Sequence, residues 1–293
     1  MLSILIPTYN YNIVPLVKRL HAEALLLAVP FEIIARDDAS SKSIVENESI
    51  STLVNVSFKK NGTNLGHNAT RDRLANEANF GTLLFLDTDV MPAGGNFIKK
   101  YLDNAQADVV CGGITYKGVT PKSDEMLRYT YGVKSEQQPA AARAKRPYFI
   151  MMGNLRVKKN MFLKINTRLD NSYGSDVLLS FHLKKENASV VHINNPVNHF
   201  GLEPSQRFLE KSLQAVNHLV EMERQNLLPN NFTKLQRGYR MFKKLGLLGP
   251  TYWFIKKRGV KMVKNLLGRS PNVRCFNLYR LGHYINLQRA ANA

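Results

Sequence analysis

Asp87-Thr88-Asp89 closes the apolar run from Thr82 to Leu86. On an extended chain side chains two apart point the same way, so both carboxylates can face one site. Paired hard oxygen donors suit a divalent cation that is held jointly by protein and substrate phosphates. Alone the pattern is weak, because aspartate is common in turns. Its company strengthens it: Thr8-Tyr9-Asn10 and Asp37-Asp38 also follow short apolar runs, and open α/β sheets bind ligands beyond the carboxyl ends of their strands.

The elements that must position these residues alternate in type through the first 110 positions. Strands are expected at residues 3–7, 31–36, 54–58, 82–86 and 107–114, with helical spacing of apolar residues over 11–27 and of small residues over 66–79. That rhythm predicts an α/β fold, a mostly parallel sheet with helices on both faces. Residues 117–145 are polar and irregular, read as a long loop or short helices. Order returns over 149–157, with a helix over about 176–186, a strand at 189–193 and a helix over about 205–225. No internal repeat or low-complexity segment interrupts the series.

Composition excludes several classes. With 293 residues, 44% hydrophobic and 22% charged, the chain is neither disordered nor a small stapled scaffold. Its two cysteines, Cys111 and Cys275, form no CxxC and predict neither a disulfide framework nor a zinc knuckle. The net charge of +19 is uneven: residues 234–293 carry 14 Lys and Arg and no Asp or Glu, which leaves 27 basic and 22 acidic residues, or +5, before them. Such a segment wants a polyanion. Within it Tyr252, Ile255, Met262, Val263 and Leu266 make one helical stripe, with Lys257, Lys261 and Lys264 opposite and Trp253 and Phe254 off the stripe, which reads as an interfacial helix. The N-terminal run reads as a buried strand rather than a signal peptide, and the longest later apolar run, residues 245–255, is far short of the roughly 18 needed to span a bilayer. Division into a body over 1–233 and a basic helical tail over 234–293 follows.

Ser3-Ile4-Leu5-Ile6-Pro7-Thr8-Tyr9-Asn10, then Asp37-Asp38-Ala39-Ser40, then Asn64-Leu65-Gly66 with Arg71, then Leu86-Asp87-Thr88-Asp89, resemble in order and spacing the motifs of family 2 glycosyltransferases of the GT-A fold, over about residues 1–200. The resemblance implies that Pro7, Thr8, Tyr9, Asp38 and Arg71 line the pocket for the donor nucleotide, and that Asp87 and Asp89 serve ribose and metal, Mn²⁺ or Mg²⁺. It implies that Met152-Gly153-Asn154-Leu155 lies beneath the donor sugar and acceptor, with Gly153 and Asn154 the contacts, and that His199 completes the metal shell. It places Asp176, in Tyr173-Gly174-Ser175-Asp176, where relatives carry an acidic pair at a helix start; Asp176 keeps the carboxylate suited to a general base, and Ser175 replaces the first acid.

The activity implied is inverting transfer of a sugar from a nucleotide-sugar donor to a glycan or lipid-linked acceptor, in the cytoplasm, with residues 234–293 on the anionic inner face of the membrane. A Rossmann dehydrogenase is disfavoured by the lack of GxGxxG after the first strand, and a nucleotidyltransferase by the lack of a basic loop there. Two other readings compete: a nucleic-acid-binding protein using the basic tail, which the acidic strand-end edge opposes, and an inactive relative, suggested by Ser175.

Overall fold

The computed structural model describes residues 1–166 and 174–290; Tyr173 of the helix-start motif lies outside them. The chain divides into two compact units, the first made of residues 1–118, 137–171 and 182–201, the second of 119–136, 172–181 and 202–293.

The first unit holds β1 (Leu2–Thr8), α1 (Val14–Leu25), β2 (Phe31–Asp37), α2 (Ile44–Glu48), β3 (Val56–Lys60), α3 (His67–Glu77), β4 (Thr82–Leu86), β5 (Val90–Pro92), α4 (Phe97–Leu102), β6 (Val109–Cys111) and β7 (Ile114–Thr115). The chain enters the second unit for α5 (Met126–Tyr131) and returns for α6 (Ala140–Ala144), β8 (Asn154–Lys158) and α7 (Lys159–Asn166). Next, α8 (Asp176–Lys185) runs from the second unit into the first, which ends with β9 (Val190–His192) and β10 (Val197–His199).

Seven strands form one sheet in the order β3-β2-β1-β4-β8-β6-β9. All neighbours are parallel except β8, antiparallel to both β4 and β6. The expected mostly parallel sheet flanked by helices is therefore what forms. β1 lies inside the sheet, between β2 and β4, with Leu2, Ile4, Leu5 and Ile6 fully buried, as a strand covered on both faces requires. From β1 the chain builds outward through β2 and β3, then crosses back to lay β4 on the other side of β1. That reversal is a topological switch point, where the flanking loops diverge and leave a crevice. Pro7 falls beyond the last β1–β4 pair, Leu5 with Phe85, so its missing N–H removes no ladder bond on that side.

Two expectations need correction here. The strand read at 107–114 is two strands: the chain leaves the large sheet at Gly112-Gly113, and β7 joins a three-stranded sheet in the order β5-β10-β7. A Cβ on Gly112 would lie 2.0 Å from the Tyr101 hydroxyl, and Gly113 has φ +92°. Only glycines allow that exit.

The second correction concerns the basic segment. In the second unit α9 (Ser205–Arg224) is followed by α10 (Lys234–Lys244), α11 (Leu248–Leu266) and α12 (Val273–Ala290). A capping box starts α10, Thr233 receiving the Gln236 N–H at 3.2 Å while the Gln236 side chain accepts from the Thr233 N–H. The stripe read as membrane-facing packs instead within this unit. Leu266 is fully buried with Leu127, Phe208, Leu209 and Phe276, Val263 leans on that cluster, Ile255 fills the space a Cβ on Gly282 would take, and the Arg289 guanidinium lies 4.6 Å over the Tyr252 ring. Amphipathicity shows that a helix buries one face; it does not say against what. The division at residue 233, drawn from charge rather than packing, falls inside this unit. Among the described residues no helix is long and apolar enough to cross a membrane.

Candidate active site

The first unit brings most of the expected residues to the crevice edge, and backbone order does the work. β1 ends at Thr8 and β2 at Asp37, paired in register, and the Asp38 N–H donates to the Thr8 carbonyl at 2.8 Å. The two following loops are clasped together. Asn10, in the left-handed region at φ 52°, accepts from the Ser41 N–H (2.8 Å) and Lys42 N–H (3.1 Å), and its own N–H donates to Ser40 Oγ at 2.7 Å. Asp38 accepts from the backbone N–H groups of Leu65 and Gly66, both at 2.8 Å, and from Asn61 Nδ2 at 2.8 Å. Its buried carboxylate thus pins the loop ahead of α3. Thr8 is buried, whereas Tyr9 is 53% exposed at the rim.

α3 presents Arg71 from a buried face, and its Nη2 donates to Asp87 Oδ1 at 2.7 Å. Buried arginine needs an anion, and a half-exposed strand-end carboxylate supplies it. Asp89 lies elsewhere in electrostatic terms. β5 begins one residue later and pairs antiparallel with β10, His199 opposite Val90, which sets His199 Nε2 3.7 Å from Asp89 Oδ2. The His199 ring also faces Tyr116 at 5.6 Å, and its buried Nδ1 has no hydrogen-bond partner among the described residues. The Tyr11 hydroxyl resists ionisation more than usual, through partial burial and then the nearby Asp89 charge.

Each carboxylate of the pair has a glycine at its back. A Cβ on Gly153 would lie 2.4 Å from Asp87 Oδ2, and one on Gly201 1.7 Å from Asp89 Oδ2. Gly153 was expected here; Gly201 was not. The strand before it, β10, has three residues and leaves no periodic trace, so a glycine two positions after His199 is the one signal the sequence offers. Asn154 sits deeper than expected. Tyr101 donates to its Oδ1, and its Nδ2 donates to the carbonyls of Gly113 (2.8 Å) and Asn195 (2.9 Å), so the carboxamide braces the sheet and the Gly153 backbone borders Asp87.

Arg143, on α6, anchors the segment before β8. All five of its donors are used: on the carbonyls of Gln138, Cys111, Gly112 and Ile193, and on His192 Nδ1 at 2.9 Å. Because guanidinium only donates, His192 is neutral and gives its Nε2 proton to the Pro147 carbonyl at 2.8 Å. Burial, and then Arg143, holds its pKa low. Burial pushes the neighbouring Cys111 thiol up to about 12, so it is no nucleophile.

Asp176 belongs to the second unit, in the first turn of α8, where a carboxylate complements the helix dipole. Ser175 before it is buried, and its carbonyl accepts from Leu178 at 2.8 Å. Gly174, at φ +97°, sets the entry angle.

Could this edge hold a divalent ion? Among the described residues no three His, Cys, Asp or Glu cluster, and Asp87 is paired with Arg71. Asp89 and His199 do form a pair spaced for one ion, backed by Gly201, so the chain offers two ligands and the remainder must come from phosphate oxygens and water. The donor set fits a metal shared with a substrate.

The glycosyl transferase family 2 profile matches residues 3–163, more than half of the chain. No curated protein sequence matches. Solved structures do, at identities that speak for the fold alone. A mannosyltransferase, PcManGT from Pyrobaculum calidifontis, solved with GDP-Man and Mn²⁺, is 11% identical with a TM-score of 0.56 over 99% of this chain and 86% of its own. TarS of S. aureus is 16% identical with a TM-score of 0.52; the match covers 99% of this chain and 53% of TarS, so the chain spans about half that protein's length. A shorter TarS chain, residues 1–349 with UDP, is 14% identical with a TM-score of 0.50, over 99% of this chain and 91% of its own.

Proposed function

The chain belongs to glycosyl transferase family 2, and on that premise we propose that it moves a sugar from a nucleotide-sugar donor to a glycan acceptor, with inversion at the anomeric carbon. One observation carries the reading: at the switch point of the sheet, Asp87 is paired with Arg71 while Asp89 lies beside His199, each carboxylate seated against a glycine. A site that needed only a solvated turn has no use for two such cradles.

In this reading Pro7, Thr8, Tyr9 and the loop pinned by Asp38 receive the nucleotide. Arg71 holds Asp87 in place for the ribose. Asp89 and His199 would hold the divalent ion, Mn²⁺ or Mg²⁺, which would supply charge to offset that on the departing diphosphate. Asp176, proposed as base from its place in the sequence motif, takes the acceptor hydroxyl proton as the acceptor oxygen bonds to the anomeric carbon. The bond from that carbon to the phosphate oxygen breaks on the opposite face, and its electron pair leaves with the nucleoside diphosphate. The proposed acceptor is lipid-linked and is met at the inner face of the cytoplasmic membrane.

The test is a thermal-shift panel of nucleoside diphosphates and their sugars, with Mn²⁺ or Mg²⁺, on the wild type and Asp89→Ala. A ligand at 100 times its Kd stabilises by about 2.7 kcal/mol. The wild type should gain that with at least one donor, in a metal-dependent way, and Asp89→Ala should keep its fold and lose the gain. An unresponsive wild type, or a variant that keeps the full metal-dependent gain, overturns the reading.

A further inference from the structure

With the expected stripe buried, α11 still shows an apolar line on its outer side. Trp253 is 61% exposed, Val260 86% and Leu267, at the helix end, 36%. They are spaced by seven, which returns a helix to nearly the same side with a drift of about 20° per step. Exposed lysines flank the line: Lys256 on one side, Lys257, Lys261 and Lys264 on the other. Lys257 lies with its Nζ 4.9 Å over the Trp253 ring. At the turn before the helix, Leu245 and Leu247 are 60% and 40% exposed around Gly246, which turns the chain at φ 69°.

We propose that this outer side of α11 and the α10–α11 turn dock on an anionic lipid bilayer. The inference deepens the reading above by naming the surface on which a lipid-linked acceptor would be met, and it rests on that reading only for the acceptor. Charge complementarity selects the occupant: residues 234–293 hold 14 cations and no Asp or Glu, and cations are attracted to a surface of anionic headgroups. The apolar line then selects lipid over nucleic acid. Trp253 could stack on a base, but Val260, Leu267 and the turn leucines have nothing to gain from a sugar-phosphate backbone, whereas side chains of this kind enter the headgroup boundary by about 5–10 Å. Lysines beside them keep their ammonium groups at the headgroups while their stems cover apolar surface.

The chain's single tryptophan is Trp253, so its own fluorescence reports on this surface. The full chain would be titrated with vesicles of phosphatidylcholine alone, and of phosphatidylcholine with phosphatidylglycerol, and with duplex DNA, at about 50 and 200 mM salt. Expected are a blue shift of the emission and co-sedimentation with the anionic vesicles only, part of the binding surviving the higher salt because apolar insertion is not screened. Leu245→Glu with Val260→Glu, both at exposed positions, should weaken vesicle binding tenfold or more with circular dichroism unchanged. Replacing Lys256, Lys257, Lys261 and Lys264 by Gln should weaken it by about fivefold per charge. The proposal is overturned if the emission does not move, if binding vanishes at the higher salt, if the double Glu variant binds vesicles like the wild type, or if DNA binds more tightly than the anionic vesicles. Nucleotide-sugar thermal shifts on the same variants should be unaltered, which separates failure here from failure of the transferase reading.

Discussion

The strand-end edge of the first unit and the C-terminal helices of the second treat charge in opposite ways. At the edge, carboxylates find partners inside the fold: Asp87 has Arg71, Asp38 has two backbone N–H groups, and Asp89 has His199 nearby. In the helices, cations rest on ring faces and carbonyls, Lys257 on Trp253, Arg289 on Tyr252, Arg237 on the carbonyls of Asn231 and Phe232. A carboxylate central to these helices, Glu223 on α9, accepts from Gln236, Tyr284 and Gln288. A region that settles its charges internally can hold a small ligand in fixed geometry; a region that leaves them at the surface awaits a large partner of opposite sign.

The largest effect expected from breaking this contrast is on catalysis. Asp176→Asn keeps the shape of a helix-start side chain but removes the proton acceptor, so transfer should fall by about 10² to 10⁴ while donor affinity stands. Turnover measured beside donor Kd checks it, and a parallel loss of both would deny Asp176 the role of base. Next comes Gly201→Ala, whose methyl would overlap Asp89 Oδ2 and force the carboxylate aside. A misplacement of about 1 Å costs on the order of 10²-fold in rate, and metal-dependent nucleotide affinity, read by calorimetry, should weaken with it. If affinity and rate are unchanged, the fixed geometry claimed for the edge is not needed.

Smaller, and on the other side of the contrast, is Glu223→Ala. It leaves the Tyr284 hydroxyl without its acceptor and takes one of two acceptors from the buried Gln236 Nε2, which keeps the Pro229 carbonyl, at a cost of about 2 kcal/mol in urea-induced unfolding of the helical signal, with nucleotide binding unaffected. Smallest is a pH effect inside the first unit. The folded-state pKa of His192 is held below its ordinary 6.5, by burial and then by Arg143, so its contribution to stability is complete above 6.5 and is lost as pH falls through its folded value. His192→Gln should flatten that slope relative to wild type when unfolding free energies are compared along a pH series; parallel curves would show that His192 does not titrate on unfolding.

Much of this was legible in the sequence because it is local. Apolar runs ending in Thr8, Asp37 and Leu86 are strands of a parallel sheet, and parallel strands bring their carboxyl ends to one edge whatever else the chain does. The helical spacing of Tyr252, Ile255, Met262, Val263 and Leu266 was equally visible, and it correctly marked a buried face.

What covers that face was decided by the next helix, α12, with Phe276, and by Leu127, Phe208 and Leu209 from much earlier in the chain, none of which leaves a mark on the periodicity of α11. The same holds at the site. Asp87 and Asp89 look equivalent in the sequence, and only tertiary pairing separates them: α3 delivers Arg71 to one, and the three-residue strand β10 with the segment after it delivers His199 and Gly201 to the other. Pattern records which side of an element is apolar, because that follows from the pitch of the backbone. Partnership across a hundred residues is fixed by packing, where two short segments with no signal of their own are held together by everything around them.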